Sequence, residues 1–418
     1  MRQQVGGLAQ LGTDQKIEKL TNFLIKHQII KNFHIIPSPP DEPLLFLFSC
    51  SLKLKNSSQQ VSGTGASIKS KEFALLKCLA EAIERYSLCI NKESKIYFMD
   101  IHNKSIWHTL KASGSKNACP GWVKGLNLTS NKPVDIPAQL IYLDYKNREN
   151  EKLITQSLST GAAFGSTKYS TLLRGIYELV ERDAFLTIFL NQISATQIKL
   201  TGKTASEIKK MISNIEKYNL EVKIFDIKND LGIPTFACTI IDKTGFGPSC
   251  SFGLKSSFNE NNAILAAIEE SLHIRLWVRG RMVEQKFKSK SNHASDVRTQ
   301  EDRMMYWAPI DQLKKLNFLF SQVKKTRNYP ENRLNEEEEL QKVLTSFKKK
   351  KYHVYYCDVT PVEIKKIGGF IYKIVIPSLQ PFYIDEKLKV INQNRLVDVA
   401  KYFNKSVTKP NPIPHPFL

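Results

Sequence analysis

The sequence lacks the features that would identify a membrane, secreted or zinc-binding protein. No stretch approaches the roughly 18 consecutive apolar residues of a membrane span, and the start has no apolar block of signal-peptide length. We therefore expect a cytoplasmic protein with no membrane partner. The seven cysteines form an odd set without a Cys-x-x-Cys pair, which argues against a disulfide framework and a structural zinc site. We expect buried free thiols.

Acidic residues are few relative to basic ones. The chain has 61 lysines and arginines against 40 acidic residues, a formal net charge of +21. This charge favours an anionic partner, such as a nucleotide, a nucleic acid or an acidic peptide, without choosing among them. With 418 residues, 42% of them hydrophobic, the chain can bury one large core or two to three smaller ones, which excludes a disordered or fibrous protein.

The order of apolar runs predicts a mixed fold. A helix is expected from Asp14 to Ile30, followed by a proline-rich turn at Pro37–Pro40. Helical segments then alternate with runs that have strand character, which predicts an α/β or α+β domain. The predicted strands are Leu44–Cys50, Lys95–Asp100, Ala138–Tyr142, Val222–Ile227, Thr235–Ile241, Val354–Cys357 and Phe370–Ile376.

Two polar stretches interrupt this pattern. Lys286–Gln300 has the composition of a loop, and Lys324–Lys351 that of a solvated helix with a break at either end. The second stretch includes the four lysines of Lys348–Lys351, but no aromatic residues are interleaved with them and no binding module accompanies them. We therefore do not expect nucleic-acid binding at this run.

The most informative feature is an internal repeat. Repeat 1 (Ser62–Arg85) and repeat 2 (Ser159–Arg182) align without a gap at an offset of 97 residues, and a fainter repeat 3 begins at Ser251. Apolar residues fall 13, 14, 17 and 21 positions after each leading serine, which is one stripe of an amphipathic helix. The stripe residues are Leu75, Leu76, Leu79 and Ile83; Leu172, Leu173, Ile176 and Val180; and Ile264, Leu265, Ile268 and Leu272.

Glutamates recur 19 and 22 positions after the leading serine, away from the apolar stripe. They are Glu81 and Glu84 in repeat 1 and Glu178 and Glu181 in repeat 2, whereas repeat 3 has Glu270 and then His273. The i, i+3 spacing puts each pair on one helix face. For a single helix, ordinary surface glutamates would explain this pattern. Recurrence at matching register favours a function, because a solvated face tolerates any polar residue.

Packing of the repeats around one cavity would bring four to five carboxylates together. Like charges brought so close must bind protons or recruit cations, and oxygen ligands in this number favour Mg²⁺, which bridges carboxylates to substrate phosphates. Arg85, Arg182 and Arg275 would then clamp the phosphate oxygens.

The segments that lead into the repeat helices leave two interpretations open. Ser62–Gly65 and Ser159–Gly161 could approach a phosphate through backbone N–H groups. Neither is a Walker A loop, because the Gly-Lys-Ser/Thr ending is absent. They could equally be ordinary turns before helices.

The repeats, together with the closing stretch Gly369–Pro381, resemble the YcaO family, whose magnesium–ATP site is built from glutamates on helices. The resemblance implies a fold of repeated strand–helix units around an ATP/Mg²⁺ cavity. It places the catalytic domain at residues 56–418, with an N-terminal helix and strand region at residues 1–55 packing on it. It implies metal binding by Glu81, Glu84, Glu178 and Glu181, and ATP binding by these four together with Arg85, Ser166, Arg182, Glu270 and Arg275.

The last ten residues narrow the resemblance. They end in a Pro-x-Pro-x-Pro pattern that resembles azoline-forming YcaO proteins, and alternating prolines favour a stiff polyproline II segment. Composition alone would favour a disordered tail; the resemblance implies an ordered terminus that reaches the active site. The residues assigned to this role are Pro412, Pro414, His415, Pro416 and Leu418, with His415 a candidate proton shuttle if it is not simply exposed to solvent.

The activity implied by the resemblance is ATP-dependent cyclodehydration in the biosynthesis of ribosomally made peptides such as bacteriocins. A Cys, Ser or Thr side chain attacks the preceding carbonyl, the amide oxyanion takes the γ-phosphoryl group, and phosphate leaves to give a thiazoline or oxazoline. The resemblance also implies a precursor peptide, a ThiF-like partner that delivers it, and a symmetric homodimer. Peptide thioamidation with a TfuA-like partner, macroamidine formation and a non-catalytic scaffold are the alternatives.

The sequence departs from the family pattern at several positions. Related sequences often carry Gly-Asn followed four residues later by Glu, where this chain has Gly165-Ser166 and then Ser170. His273 replaces a common glutamine, and Thr64 stands where lysine is frequent. These changes remove one potential Mg²⁺ ligand and bear on the number of metal ions bound.

Overall fold

The structure, a computed structural model, describes residues 7–53, 61–91, 93–99, 120–148, 151, 153–200, 206–284, 293–327, 334–406 and 409–418. It has the mixed α/β class that the sequence predicts, and the chain divides into two compact units. Unit 1 comprises Met1–Pro37, Phe46–Leu179 and Leu334–Ser378. Unit 2 comprises Ser38–Leu45, Val180–Arg333 and Leu379–Leu418.

Unit 1 contains two sheets. The first is antiparallel and has the order β1-β2-β3, and α2 packs on β3 and β2. The second has the order β4-β5-β13-β14-β7, with β6 paired to β5. The strands are β1 Ile30–Ile36, β2 Phe46–Leu52, β3 Ser62–Ser67, β4 Tyr97–Phe98, β5 Gly121–Asn127, β6 Lys132–Pro137, β7 Ala162–Gly165, β13 Tyr355–Asp358 and β14 Phe370–Val375. The helices are α1 Thr13–Lys26, α2 Lys71–Ser87, α7 Glu336–Lys349 and α8 Val362–Lys366.

Unit 2 contains one sheet with the order β11-β10-β9-β8-β12, in which only the β8–β12 pair is parallel. Helix α5 packs on β11 and β10. The strands are β8 Ala195–Leu200, β9 Leu220–Asp226, β10 Thr235–Asp242, β11 Cys250–Ser256 and β12 Phe320–Arg327. The helices are α4 Ser206–Glu216, α5 Glu260–Glu284, α6 Gln300–Trp307 and α9 Gln393–Tyr402.

Helix α3, Lys168–Leu190, carries the second repeat. Thr167 caps its first turn, because the Thr167 hydroxyl oxygen accepts a hydrogen bond from the Ser170 N–H at 3.1 Å. The residues of α3 up to Leu179 belong to unit 1 and those from Val180 onward to unit 2. Glu178 and Glu181 therefore lie one helical turn apart but in different units.

The three repeats have the predicted form, a strand followed by an amphipathic helix. Their strands are β3, β7 and β11, and their helices are α2, α3 and α5. Each stripe position is buried or packed against the core, as the periodicity predicts. In repeats 1 and 3 the helix crosses its strand at a glycine. A Cβ atom at Gly65 would lie 2.1 Å from the Ala74 carbonyl oxygen, and one at Gly253 would lie 2.0 Å from that of Ala267.

Several predicted elements differ from the observed ones. Helix α1 ends at Lys26 rather than Ile30, because Gln28 has a φ of 52° that no α-helix accommodates, and strand β1, which was not predicted, follows. The predicted strand Ala138–Tyr142 is wrong. A 3₁₀ turn spans Ala138–Leu140, and the buried side chains of Ala138, Gln139, Ile141 and Tyr142 do not follow the alternation of a strand.

The polar stretches are only partly as predicted. Residues 286–292 of the first stretch lie outside the described residues, and the second stretch contains the end of β12 and helix α7. Helix α7 is not fully solvated, because Leu340, Val343, Leu344 and Phe347 are buried. Six cysteines are free and buried, as expected, and Cys119 lies outside the described residues. None of the helices in the described part of the chain is long and apolar enough to cross a membrane.

Candidate functional site

The first glutamate of each repeat binds the strand that precedes its own helix or the turn that leads into that strand. The Glu81 carboxylate accepts hydrogen bonds from the Thr64 backbone N–H at 2.6 Å and from the Thr64 hydroxyl at 2.8 Å. In repeat 2 the Gly161 N–H donates to Glu178 Oε2 at 2.9 Å, and in repeat 3 the Leu254 N–H donates to Glu270 Oε2 at 2.7 Å. The backbone N–H groups of the segments that lead into the repeat helices therefore orient the glutamate carboxylates.

The second glutamate binds the strand of the next repeat. Glu84 Oε2 accepts a hydrogen bond from the Phe164 N–H at 3.1 Å, and Glu181 Oε1 accepts one from the Ser256 N–H at 2.8 Å. Phe164 and Ser256 each lie five residues after the leading serine of their repeat. The same rule thus links repeat 1 to repeat 2 and repeat 2 to repeat 3.

This arrangement brings glutamates of neighbouring repeats together in two pairs. In unit 1, burial and the Glu178 carboxylate raise the pKa of Glu84 to about 8, against the opposing effects of Arg85 and the Phe164 N–H. In unit 2, burial and Glu181 raise the pKa of Glu270 to about 7, against the opposing effects of Lys255, the Leu254 N–H and Arg182. Each pair favours an added proton or cation, because its two charges repel each other where water is scarce.

The arginines of the three repeats have different surroundings. Arg85 Nη2 lies 2.5 Å from Glu81 Oε1, and Arg85 Nη1 donates to the Ser62 carbonyl oxygen at 2.8 Å. The Arg182 guanidinium lies over the Phe382 ring, 3.9 Å from its centroid. The Glu181–Glu270 pair has a further cation nearby that was not predicted. Lys255 Nζ lies 3.1 Å from Glu181 Oε1.

Arg275 is part of a buried ion network in unit 2. It donates two hydrogen bonds to the Glu42 carboxylate, both at 2.9 Å, and one to Asp242 Oδ2 at 2.8 Å. Arg279 also donates to Glu42, at 2.6 Å. The structure thus places this guanidinium on carboxylates of its own unit, which explains why an arginine is needed there irrespective of any ligand.

The serines that replace the usual asparagine and glutamate lie at the start of α3. Ser166 is half-buried, and Ser170 Oγ lies 2.6 Å from Thr167 Oγ1. Thr167 Oγ1 also donates to Glu336, in the acidic first turn of α7. The hydroxyls at Thr167 and Ser170 are therefore engaged in capping α3 and joining it to α7.

The C-terminal tail packs into unit 2. The Asn411 backbone N–H donates a hydrogen bond to the Leu190 carbonyl oxygen at 2.8 Å. The Trp307 indole N–H donates one to the Pro414 carbonyl oxygen at 3.1 Å. The Phe417 ring lies 6.0 Å from that of Phe185 and 5.4 Å from the Arg182 guanidinium. The tail is therefore ordered and contacts the arginine of the second Glu-x-x-Glu-Arg motif.

His415 is completely buried rather than exposed to solvent. Its Nε2 atom lies 2.8 Å from the Tyr383 carbonyl oxygen, and its own carbonyl oxygen accepts a hydrogen bond from Arg303 Nη1 at 2.8 Å. Burial, together with the charges of Arg303, Lys389 and Arg182, holds the pKa of His415 well below its usual value. The ring is therefore neutral at physiological pH, and it anchors the tail.

The donor set fits a hard divalent cation in a limited way. No group of three or more His, Cys, Asp or Glu side chains in the described ranges is arranged to hold a metal ion. Within unit 1 the Glu84 carboxylate lies near that of Glu178, and within unit 2 the Glu270 carboxylate lies near that of Glu181. A pair is nevertheless sufficient for Mg²⁺, which usually keeps several waters and takes one or two carboxylates plus substrate phosphates. The raised pKa of one member of each pair is the observation that favours a cation there.

Sequence reasoning missed four residues of these networks: Glu42, Asp242, Lys255 and Lys373. For Lys373 a signal was available, because it is the only charged residue in the apolar strand β14. Glu42 and Asp242 pair with Arg275 across long stretches of chain, for which a single sequence gives no signal.

The chain matches a known family in sequence and several solved structures in fold. The sequence profile described as YcaO cyclodehydratase, ATP- and Mg²⁺-binding, matches residues 112–380, which include repeats 2 and 3. An uncharacterized protein of Methanothermobacter thermautotrophicus is 21% identical over 271 residues, 63% of this chain and 66% of that protein. An uncharacterized protein in the tfuA 3′ region of Rhizobium leguminosarum bv. trifolii is 31% identical over 123 residues, 29% of either chain.

Solved structures with the same fold include a heterocyclase in complex with substrate and cofactor. The likeness has a TM-score of 0.75 at 18% identity and covers 97% of this chain and 57% of that one. YcaO from Methanopyrus kandleri, bound with AMPPCP and Mg²⁺, has a TM-score of 0.67 at 14% identity and covers 94% and 97% of the two chains. The chain spans less than two thirds of the two curated relatives and of the heterocyclase. Since the profile covers more than half of the sequence, the chain belongs to the YcaO family.

Proposed function

We propose that this protein is an ATP- and Mg²⁺-dependent cyclodehydratase that converts Cys, Ser or Thr residues of a ribosomally made precursor peptide to thiazolines or oxazolines. The observation that carries the proposal is the pair of equivalent inter-repeat carboxylate sites, Glu84 with Glu178 and Glu181 with Glu270, whose like charges favour a cation. Membership of a family described as ATP- and Mg²⁺-binding supports this assignment of ligands.

The carboxylates would hold the cation, and the nearby basic groups would bind phosphate oxygens. When bound, Mg²⁺·ATP supplies the phosphoryl group that makes an amide oxygen able to leave. Glu84, Glu178, Glu181 and Glu270 are already oriented by backbone N–H groups, so they need little rearrangement to bind a metal. Lys255, which lies beside Glu181, and Arg182 are available to neutralise phosphate charge.

The tail would place the peptide carbonyl. The contact between Phe417 and Arg182 puts the chain terminus beside the second Glu-x-x-Glu-Arg motif. The neutral His415 ring, whose Nδ1 has no hydrogen-bond partner among the described residues, retains an acceptor nitrogen. We assign it the fixing of the tail, in which Pro414, Pro416 and Leu418 are also buried and Pro412 is exposed.

The test is a reaction with a Cys-containing precursor peptide and a ThiF-like partner that binds the peptide leader. An active cyclodehydratase lowers the peptide mass by one water per ring and releases one phosphate per ring. Magnesium-dependent nucleotide binding without any mass change would instead indicate a scaffold. Analytical ultracentrifugation would check the homodimer that we expect by family analogy.

Peptide thioamidation is the second candidate, and the relative encoded in a tfuA 3′ region favours it. In that reaction the amide oxygen is replaced by sulfur, so that the peptide gains mass instead of losing water. The same reaction mixture, supplied with sulfide and a TfuA-like partner, separates the two activities by mass spectrometry. A mass gain that depends on sulfide would contradict cyclodehydration.

A further inference from the structure

Lys373 is a buried lysine beside Ser159–Gly161, the leader segment of repeat 2. It lies in β14 with 3% of its surface exposed, and Nζ donates to the carbonyl oxygens of Leu158 and Thr160, both at 2.6 Å. An ammonium group is costly to bury unless polar atoms compensate it. The two carbonyl groups of one short turn provide that compensation.

The turn transmits the position of Lys373 to Glu178. The Thr160 carbonyl and the Gly161 N–H belong to the same peptide group, and this N–H donates to Glu178 Oε2 at 2.9 Å. A cation at the oxygen end of a peptide group polarises it and strengthens the hydrogen bond made by its N–H. The neighbouring Ile374 N–H donates to the Gly161 carbonyl oxygen at 2.7 Å, so that β14 holds this turn at two consecutive residues.

We propose that Lys373 is a positioning residue for the cation site: it fixes the Ser159–Gly161 turn and, through the Thr160–Gly161 peptide group, the orientation of the Glu178 carboxylate. The inference rests on the proposed function, because it takes Glu178 to be a metal ligand. Lys373 does not itself contact the metal. Removing it should weaken metal binding, as loss of a group behind a metal ligand usually does.

The experiment compares Lys373→Met with the wild-type protein. Binding of a non-hydrolysable ATP analogue is measured by isothermal titration calorimetry at increasing Mg²⁺, and unfolding is followed without Mg²⁺. We expect the half-saturating Mg²⁺ concentration to rise about tenfold or more. Lys365→Met is the matched control, because Lys365 is half exposed and pairs with Asp358 on β13. It should leave the Mg²⁺ dependence unchanged.

A double-mutant cycle tests the route through Glu178. If Lys373 acts by orienting Glu178, Lys373→Met should have little further effect on the Mg²⁺ dependence in a Glu178→Gln background. Additive effects of the two substitutions would overturn the inference, as would wild-type Mg²⁺ dependence in a folded Lys373→Met protein.

A second variant covers the case in which Lys373→Met does not fold. Lys373→Gln keeps two N–H donors for the carbonyl oxygens but removes the charge, and it should also raise the half-saturating Mg²⁺ concentration; wild-type behaviour would overturn the inference. The proposed function is judged separately. Wild-type protein that binds Mg²⁺ and nucleotide but forms no ring contradicts the function and leaves the Lys373 test intact. Wild-type protein without Mg²⁺-dependent binding overturns both.

Discussion

The two carboxylate pairs follow one construction rule but differ in their countercharge. In unit 1 the carboxylates of Glu178 and Glu81 raise the pKa of Glu84, and Arg85 is the motif arginine that opposes them. In unit 2 the Glu181–Glu270 pair has both Lys255 and Arg182 nearby. The excess of negative charge in unit 1 favours a metal ion there, whereas the extra cations in unit 2 favour phosphate oxygens. The repeated strand–helix unit therefore places the carboxylates in the same way in both pairs, and the neighbouring charged residues make one pair suited to a metal ion and the other to phosphate oxygens.

The largest expected effect is on turnover. Glu178→Gln and Glu181→Gln should each lower phosphate release with a precursor peptide by about 100-fold or more, because each removes charge from one pair. The half-saturating Mg²⁺ concentration should rise more for Glu178→Gln than for Glu181→Gln. Glu284→Gln is the control, since Glu284 is exposed and forms an i, i+3 ion pair with Arg281. Wild-type turnover in either site variant would refute the assignment.

The repeat arginines should differ in their contribution to folding. Arg275→Met removes the buried guanidinium that pairs with both Glu42 and Asp242, although Glu42 keeps Arg279, and it should lower the free energy of unfolding by about 3–5 kcal/mol. Arg85→Met, which breaks a partly exposed i, i+4 pair with Glu81, should cost at most about 1 kcal/mol. Urea denaturation measures both. Equal losses would remove this contrast between the units.

The carboxylate pairs should make the ligand-free protein less stable as pH rises. The raised pKa values of Glu84 and Glu270 mean that the folded state retains protons that the unfolded state has lost, so stability falls between about pH 5 and pH 8. Glu84→Gln should remove about 1–2 kcal/mol of this fall, and Glu270→Gln less, because its pKa is raised less. Thermal unfolding across this range measures the slope; an unchanged slope in Glu84→Gln would contradict the prediction.

The smallest effect should come from the tail. Because the pKa of His415 lies well below its usual value, the folded state binds fewer protons at this ring than the unfolded state, so stability is lost as pH falls below about 6.5. His415→Gln should reduce this loss on the acid side. The exposed His353 provides the control variant His353→Gln. If the His415→Gln and wild-type proteins lose the same stability as pH falls below about 6.5, the buried ring does not cause this loss.

The sequence predicted which residues belong to the site better than it predicted which residues they contact. The apolar stripe and the glutamates 19 and 22 residues after the leading serine depend on helical periodicity, which is local, and they are found in the expected elements. The i, i+3 spacing places the two glutamates of a repeat on one helix face, and packing of the repeats around a cavity was expected to bring glutamates of different repeats together. The structure brings Glu84 to Glu178 and Glu181 to Glu270, because each second glutamate binds the strand of the following repeat.

Long-range partners account for most of what sequence reasoning could not find. Glu42 lies 233 residues from Arg275, just after a proline-rich turn, and nothing local marks it as buried. Lys255 follows Gly253 in an apolar strand, and its role depends on the position of α3. The wrongly predicted strand at Ala138 shows that local sequence can also be ambiguous. A short apolar run after Pro137 fits either a strand or a turn, and tertiary packing determines which one forms.

Helices α2 and α5 each cross a strand at a glycine, and this has a consequence for which substitutions can abolish activity. A methyl group added at Gly65 or Gly253 would overlap a carbonyl oxygen of the helix, so the helix would have to shift outward. The Glu81 carboxylate accepts hydrogen bonds from the backbone N–H and the hydroxyl of Thr64, at 2.6 and 2.8 Å, and Glu270 accepts one from the Leu254 N–H at 2.7 Å; such a displacement would break them. Damaging variation will therefore include positions that never meet a ligand, and a survey restricted to ligand contacts would overlook them.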